Sequence, residues 1–186
     1  EAFSIEGLSK SPAIFDETKL RWMNAEYIRK LSPEEYIRHA EPYLEAAGCG
    51  HMDKSIFARI LRPRTEVFTD ITETVAFLAK MDEDYSVDLY TNKKSKTNPE
   101  LCRDILAAVI PELEALPEWT ETALHDFLMN YAAEHGMKNG TLLWPVRIAM
   151  SGKTVTPGGA IEIAALLGRE EALRRLHHGL DKLNNM

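Results

Sequence analysis

The stretch Leu143-Trp-Pro-Val-Arg-Ile-Ala-Met-Ser-Gly-Lys-Thr-Val-Thr-Pro-Gly-Gly-Ala160 decides how the rest of this sequence is interpreted. Its first half is an apolar run that predicts one helix, which carries the cation Arg147 and ends at Gly152. The second half contains Thr156-Pro157-Gly158-Gly159, which predicts a tight corner, and a further apolar helix begins at Ile161. A guanidinium beside a corner with bare backbone N–H groups suits a polar planar or anionic ligand.

Helix start signals recur along the whole chain. Ser32-Pro33-Glu34-Glu35 supplies an N-cap, a proline at the first helical position and an acid at the third, which is the pattern of a capping box. Asn98-Pro99 and Thr120 begin two further helices in the same way. Additional amphipathic stretches cover residues 16–30, 53–61 and 72–81. The only alternating run, Ser86 to Tyr90, has no obvious partner strand, so the sequence predicts an all-α protein.

Two breaks divide the predicted helices into parts. Asn92 to Thr97 is polar and charged and is typical of a loop, and Leu116-Pro117 predicts a turn. We therefore expect an initial segment over residues 1–30, a first helical subdomain over 31–116 and a second over 117–186. The first residue is not methionine, which leads us to expect a piece of a longer protein.

Composition and charge restrict the classes of function. A net charge of −7 argues against a generic nucleic-acid binder but permits a specific one, because local cationic clusters can bind phosphate on an acidic body. The clusters are Arg59, Arg62 and Arg64; Lys93, Lys94 and Lys96; and Lys138, Arg147 and Lys153. No apolar run approaches about 18 residues, so we predict no membrane-spanning helix. Two cysteines fit a reducing cytoplasm better than a disulfide framework.

The motifs that usually carry chemistry are incomplete in this sequence. Ser151-Gly152-Lys153-Thr154 resembles the end of a phosphate-binding P-loop, but Arg147 stands where that motif needs its first glycine. Cys49 and His51 lack the paired spacing of a zinc site, and no Ser-His-Asp or Cys-His arrangement can be assembled. We expect this chain to hold no metal and no cofactor and to perform no catalysis by itself.

Three positions retain a functional interpretation on chemistry alone. Arg64 follows a helix end at Pro63, where its guanidinium is free to make a bidentate contact. Arg147 lies on the Pro145 helix, where a structural residue would more often be apolar. The corner formed by Thr156, Pro157 and Gly158 offers a hydroxyl and little bulk, so a base could approach closely. Surface salt bridges and ordinary turn chemistry remain alternatives for each of them.

The sequence resembles the bacterial-type glutamyl-tRNA synthetases along its whole length. The resemblance begins with Phe3-Ser4-Ile5-Glu6-Gly7-Leu8-Ser9-Lys10-Ser11-Pro12-Ala13-Ile14-Phe15-Asp16 and continues with Lys19-Leu20-Arg21-Trp22-Met23-Asn24-Ala25-Glu26-Tyr27-Ile28. These runs are similar to the family's stem-contact segment, which follows its catalytic domain. Residues 143–160 are similar to its anticodon-binding end. The resemblance implies the all-α anticodon-binding fold of class I synthetases, with a stem-contact segment over residues 1–30 and two helical anticodon-binding subdomains.

The resemblance also implies a ligand and a role for individual residues. Arg64, in Arg62-Pro63-Arg64, matches a position that senses the third anticodon base and favours glutamate tRNA over glutamine tRNA. Arg147 and the corner residues Thr156, Pro157 and Gly158 match residues that contact the first and second anticodon bases. Lys138, Lys153 and Arg62 are expected to contact the tRNA backbone.

For the parent enzyme, the resemblance implies a cytoplasmic glutamate–tRNA ligase that uses ATP and Mg²⁺. The family's ATP-site lysine signature and its His-containing signature are both absent here, so the chain itself is expected to be catalytically inactive. The expected partner is glutamate tRNA, with no membrane and no DNA. The alternative is a helical protein–protein interaction module that binds no RNA, which the acidic net charge favours slightly.

Overall fold

Eight α-helices make up the architecture of residues 16–186, the part of the chain that the computed structural model describes. They are α1 (Glu17–Lys30), α2 (Pro33–Ala46), α3 (Lys54–Leu61), α4 (Ile71–Ala79), α5 (Pro99–Glu114), α6 (Glu121–Glu134), α7 (Asn139–Ser151) and α8 (Ala160–Asn184). Helix α8 is interrupted by a kink at Gly168, which has φ 73°. Two short 3₁₀ helices occur at Phe68–Asp70 and Val87–Tyr90. Within residues 16–186 the only β pairing is an isolated bridge between Asn92 and Thr97. The all-α prediction is confirmed, and the alternating run Ser86 to Tyr90 contains the second 3₁₀ helix instead of a strand.

The helices begin where the capping signals predict. The Ser32 hydroxyl accepts a hydrogen bond from the Glu35 N–H at 3.2 Å, and the Glu35 carboxylate accepts one from the Ser32 N–H at 2.9 Å. Asn98 and Thr120 accept from backbone N–H groups three residues ahead at the starts of α5 and α6. These side chains satisfy N–H groups that a helix start otherwise leaves without partners.

Helix α8 is the centre of the packing. It lies most extensively against α7 and also against α5 and α6, whereas α2 packs with α3 and α4. A contact between α4 and α8 joins the two groups. The boundary expected at residue 116 stays a prediction, and so does the initial segment, of which residues 1–15 lie outside the described part. None of the helices in residues 16–186 is both long enough and apolar enough to cross a membrane.

Arg175 of α8 is buried in the core with only 1% of its surface exposed. Its guanidinium donates to the carbonyls of Phe77 at 2.8 Å and Leu78 at 2.7 Å in α4, and to that of Met150 at 3.0 Å in α7. Its Nε donates to Glu171 at 2.6 Å. The carbonyls at a helix C-terminus lack intrahelical partners and carry the negative end of the helix dipole. One cation therefore closes the ends of two helices at once.

Glu171 supplies the matching negative charge. Hydrogen bonds from Arg174 and from Arg175 lower the pKa of Glu171 to about 2. The carboxylate consequently stays ionised through the neutral range, and the buried guanidinium keeps its counter-charge there.

We expect Arg175→Met to lower the free energy of unfolding by about 3 kcal/mol, since three buried helix-end carbonyls lose their donor. Arg174→Met is the matched control, because Arg174 is an exposed neighbour that binds Glu171 and Glu83. Arg174→Met should lower the free energy of unfolding by less than about 1 kcal/mol. Urea unfolding of both variants measures the difference. Equal losses would contradict the role given to Arg175.

Candidate nucleic-acid interface

The end of α7 is fixed by Gly152. This residue lies in the left-handed region with φ 62°, and its N–H donates to the Ile148 carbonyl at 2.8 Å. A Cβ added at Gly152 would lie 3.0 Å from the Tyr85 ring and 3.2 Å from the Asp82 carbonyl oxygen. Any other residue would therefore meet both backbone strain and a collision. The predicted stop at this glycine is confirmed.

The corner that follows is held by its own hydrogen bonds and by its neighbours. The buried Thr156 hydroxyl donates to the Gly158 carbonyl at 2.7 Å, and the Gly159 N–H donates to the Glu162 carboxylate at 3.0 Å. A Cβ added at Gly158 would lie 3.3 Å from the Ile60 side chain of α3. The corner is thus packed against α3 and joined to the first turn of α8, which gives its carbonyls defined directions.

Arg64 reaches this corner from the end of α3. Its backbone N–H donates to the Leu61 carbonyl at 2.8 Å, and its exposed side chain extends to the corner. There Nη1 donates to the Thr156 carbonyl at 3.4 Å and to the Pro157 carbonyl. The sequence predicts a free guanidinium. In the structure Nη1 is hydrogen-bonded to the corner, whereas Nε and Nη2 have no acceptor among residues 16–186.

Arg147 reaches the same corner from α7. Its Nη1 donates to the Thr156 hydroxyl at 3.3 Å and its Nη2 to the Thr154 carbonyl at 2.9 Å. The guanidinium carbon lies 4.7 Å from the centroid of the Trp144 ring, a cation–π contact, and Trp144 is itself fixed by a 3.0 Å hydrogen bond from Nε1 to the Leu89 carbonyl. Burial lowers the pKa of Arg147, yet a guanidinium remains protonated at neutral pH.

The three predicted elements therefore meet at one residue. Thr156 accepts from Arg64 through its carbonyl and from Arg147 through its hydroxyl. Neither guanidinium is ion-paired with a carboxylate in the described part of the chain. Val155, which directly precedes the corner, is 82% exposed. The arrangement offers two oriented cations beside an accessible backbone, which suits planar polar ligands such as nucleic-acid bases.

Two depressions flank Arg64 and Pro157. One has a volume of about 230 Å³ and is lined in part by Arg21 and Asp70, which form an ion pair. The other has a volume of about 520 Å³ and includes Glu73. Hydrogen-bond donors and acceptors thus lie side by side around the guanidinium. Asp70 and Glu73 were not predicted from the sequence to lie at this site, although both follow Arg64 within ten residues.

The expected backbone-contacting residues lie in three different settings. Lys153 is exposed and lines the larger depression beside Arg64. Lys138 is the N-cap of α7, about 13 Å along the helix from Arg147. Arg62 is half-buried, and its Nη1 donates to the Leu31 carbonyl at 2.8 Å, so it holds the link between α1 and α2. The contacts of these three residues with a nucleic-acid backbone stay predictions.

Metal ligation and thiol chemistry find little support in the described part. Residues 16–186 contain no group of three or more His, Cys, Asp or Glu side chains placed to hold a metal ion. Cys49 and Cys102 are both buried, and burial raises the pKa of each thiol, which reduces its reactivity.

The fold and this interface define the class of the molecule, an all-helical domain with two oriented guanidinium groups beside an exposed corner of backbone. Two solved structures share the fold. A glutamate tRNA ligase from Elizabethkingia meningosepticum matches 97% of this chain with a TM-score of 0.70 and 18% identity, over 35% of its own length. Glutamate-tRNA synthetase from Elizabethkingia anophelis matches 96% of the chain with a TM-score of 0.72 and 17% identity, over 34% of its length.

The chain belongs to the anticodon binding domain family, whose profile matches residues 18–180. Among curated proteins it is 42% identical to glutamate–tRNA ligase of Clostridium acetobutylicum over 182 residues, which is 97% of this chain and 37% of that protein. The corresponding protein of Clostridium tetani is 44% identical over 183 residues, 98% of this chain and 37% of the relative. The chain therefore spans little more than a third of the length of these relatives.

Thr156→Val tests whether the hydroxyl holds the corner together. It leaves the Gly158 carbonyl without its donor and Arg147 Nη1 without its acceptor. We expect the free energy of unfolding to fall by about 1–2 kcal/mol, whereas Thr156→Ser should keep most of it. The exposed Thr154→Val is the control and should stay within about 0.5 kcal/mol of the parent. Denaturant titration measures all three, and a stable Thr156→Val protein would refute the bridging role.

Proposed function

We propose that this chain reads the anticodon of glutamate tRNA as the anticodon-binding part of a cytoplasmic glutamate–tRNA ligase. In that enzyme the attachment of glutamate, with ATP and Mg²⁺, would take place outside this chain. The observation that carries the proposal is the convergence of Arg64, Arg147 and Thr156 on one corner in a member of the anticodon binding domain family.

The chemistry of unstacked bases supports this choice of ligand. Bases in a single-stranded loop can be splayed out and bound by their edges and faces. Arg147 lies over the Trp144 ring and retains an Nε–H donor that no described residue accepts, so it can donate to a base edge beside the corner. Thr154 and Val155 are exposed next to it, and their backbone N–H groups have no acceptor among residues 16–186.

Discrimination at the third anticodon base follows from the donors of Arg64. The pairing edge of cytosine carries two acceptors and one amino donor, which complement a guanidinium and a nearby carboxylate such as Glu73. Guanine is the corresponding base of glutamine tRNA, and its pairing edge carries N–H donors. These donors would face the N–H donors of Arg64, so no hydrogen bond could form between them. We therefore expect Arg64 to favour cytosine over guanine at the third anticodon position.

A protein–protein interaction module is the second candidate, and one observation favours it. Helix α1 exposes four large apolar side chains, those of Leu20, Trp22, Met23 and Tyr27. Such a patch is typical of surfaces that bind another protein. The two candidates differ in their response to salt, because phosphate contacts make RNA affinity fall steeply as salt rises.

The test is a binding titration of the 186-residue chain with an anticodon stem-loop RNA of glutamate tRNA at two salt concentrations. Arg147→Ala should weaken binding by about 1–3 kcal/mol, the scale of one good base contact. Arg64→Gln should chiefly reduce the preference for cytosine over guanine at the third anticodon position, since glutamine has one donor group and no charge. Arg103→Ala, which removes an exposed guanidinium paired with Asp104 on α5, is the control and should change neither quantity.

Binding that does not respond to the anticodon sequence would reject the proposal, and so would an Arg147→Ala protein of unchanged affinity. The same stem-loop made of DNA should bind more weakly, because its loop lacks the 2′-hydroxyl groups that distinguish RNA. The absence of any RNA binding at low salt would favour the protein–protein module.

A further inference from the structure

The acidic residues of this chain are distributed unevenly. None occurs between Asp88 and Glu100, and none occurs between Glu134 and Glu162, although the chain has 29 in all. These two acid-free segments contain six basic residues, which are Lys93, Lys94, Lys96, Lys138, Arg147 and Lys153. A protein of net charge −7 therefore has two segments of its sequence in which positive charge is not balanced locally.

The fold brings the two acid-free segments into contact. Residues 92–97 form a turn, the lysine turn, closed by the Asn92–Thr97 bridge with hydrogen bonds of 3.1 Å in both directions. The turn lies on the first turn of α7, where the Thr141 hydroxyl donates to the Ser95 carbonyl at 2.8 Å. Lys94 and Lys96 flank Ser95 in sequence, and Lys138 lies at the start of the same helix.

This contact changes the grouping of the cations. By sequence Lys138 groups with Arg147 and Lys153, but it is the N-cap of α7, whose first turn contacts the lysine turn through Thr141. We call Lys93, Lys94, Lys96 and Lys138 together the lysine surface. All four side chains are exposed, and none is ion-paired with a carboxylate that the structure describes.

One member of the lysine surface occupies an unfavourable backbone conformation. Lys96 has φ 55°, and it is the only residue other than glycine with positive φ in residues 16–186. Glycine or asparagine would adopt this conformation at lower cost. The side chain of Lys96 is exposed, so core packing does not explain why a lysine stands there. A strained, exposed cation is more readily explained by a ligand than by stability.

The lysine surface is connected to the anticodon site along one side of α7. Thr141, Trp144 and Arg147 follow one another at three-residue spacing, so they are neighbours on the helix surface. Thr141 contacts the lysine turn, and Trp144 donates to the Leu89 carbonyl and makes the cation–π contact with Arg147. Six residues separate Thr141 from Arg147, a rise of about 9 Å. A stacked strand advances about 3.4 Å per nucleotide, so the two ends are roughly three nucleotides apart.

We propose that the lysine surface binds the phosphate backbone of the RNA, roughly three nucleotides along the strand from the bases at Arg147. This inference rests on the proposed anticodon-binding function and extends it. Phosphates fit the lysine surface because ammonium groups act as point charges that need no fixed geometry, whereas base edges need oriented donors. The contribution is therefore sequence-independent and sensitive to salt.

The experiment compares two double variants of equal net charge. Lys94→Gln/Lys96→Gly removes two cations of the lysine surface, and Lys30→Gln/Lys80→Gln removes two exposed lysines from α1 and the end of α4. The affinity of each for the glutamate anticodon stem-loop is measured from 50 to 200 mM salt. If each lysine neutralises one phosphate, the slope of log K against log salt should become shallower by about 1.5 in the first variant. Affinity at 50 mM salt should fall about tenfold or more.

Two further readouts separate this role from a structural one. The melting temperature of the Lys94→Gln/Lys96→Gly protein should stay the same or rise, because glycine accepts φ 55° without strain. Its preference for cytosine over guanine at the third anticodon position should be unchanged. If the melting temperature falls instead, the single variant Lys94→Gln, which leaves the backbone of the turn intact, is measured in its place and should lower the slope by about 0.7–0.9.

The outcomes distinguish this inference from the proposed function. An unchanged slope in the lysine variant, with anticodon preference intact in the parent chain, overturns the lysine surface alone. Equal losses in both double variants also overturn it, since only net charge would then matter. A parent chain without anticodon preference overturns the proposed function, whatever the lysine variant does.

Discussion

The buried guanidinium of Arg175 is the interaction on which the rest of the structure depends. It joins the carbonyl ends of α4 and α7 to the middle of α8, and Met150, one of its three carbonyl acceptors, lies three residues after Arg147. The same α4 carries Glu73 beside Arg64. The position of Arg147 relative to that depression is therefore set from inside the core, by one cation that has no direct contact with the interface.

The interface itself orients its cations without neutralising them. Arg64 and Arg147 bind carbonyls and a hydroxyl, whereas Arg21, which lines the smaller depression beside Arg64, and Arg174 bind carboxylates. A neutral acceptor restricts the rotamers of an arginine but leaves its charge available to an incoming anion. The carbonyls can be exchanged for base edges at modest cost, because a typical hydrogen bond to a neutral group contributes only about 1 kcal/mol net. The corner thus keeps both guanidinium groups in place before RNA arrives.

Local signals made much of the fold predictable. The capping box at Ser32 and the stop at Gly152 depend on residues within a few positions of each other, and both occur as the sequence indicates. Arg175 was not predictable in this way. It adjoins the exposed Arg174 in an amphipathic helix, and its carbonyl acceptors lie 25 or more residues away. Only tertiary packing decides which of two adjacent arginines enters the core.

The candidate site was predictable in its residues but not in its contacts. Arg64 and Pro157 are 93 residues apart, so no local pattern could indicate that the guanidinium binds the corner. The same holds for the lysine surface, because the hydrogen bond that joins the start of α7 to the lysine turn, from Thr141 to Ser95, spans 46 residues. Arg62 and Arg64 look equivalent in an Arg-Pro-Arg motif, yet one holds the link after α1 and the other reaches Thr156.

We infer that one corner orients the guanidinium groups of Arg64 and Arg147 toward a single RNA loop. A double-mutant cycle with Arg64→Ala and Arg147→Ala, measured as affinity for the glutamate anticodon stem-loop, tests it most directly. Because both side chains act through Thr156, we expect a coupling energy of at least about 0.5 kcal/mol. Losses that add within experimental error would contradict it.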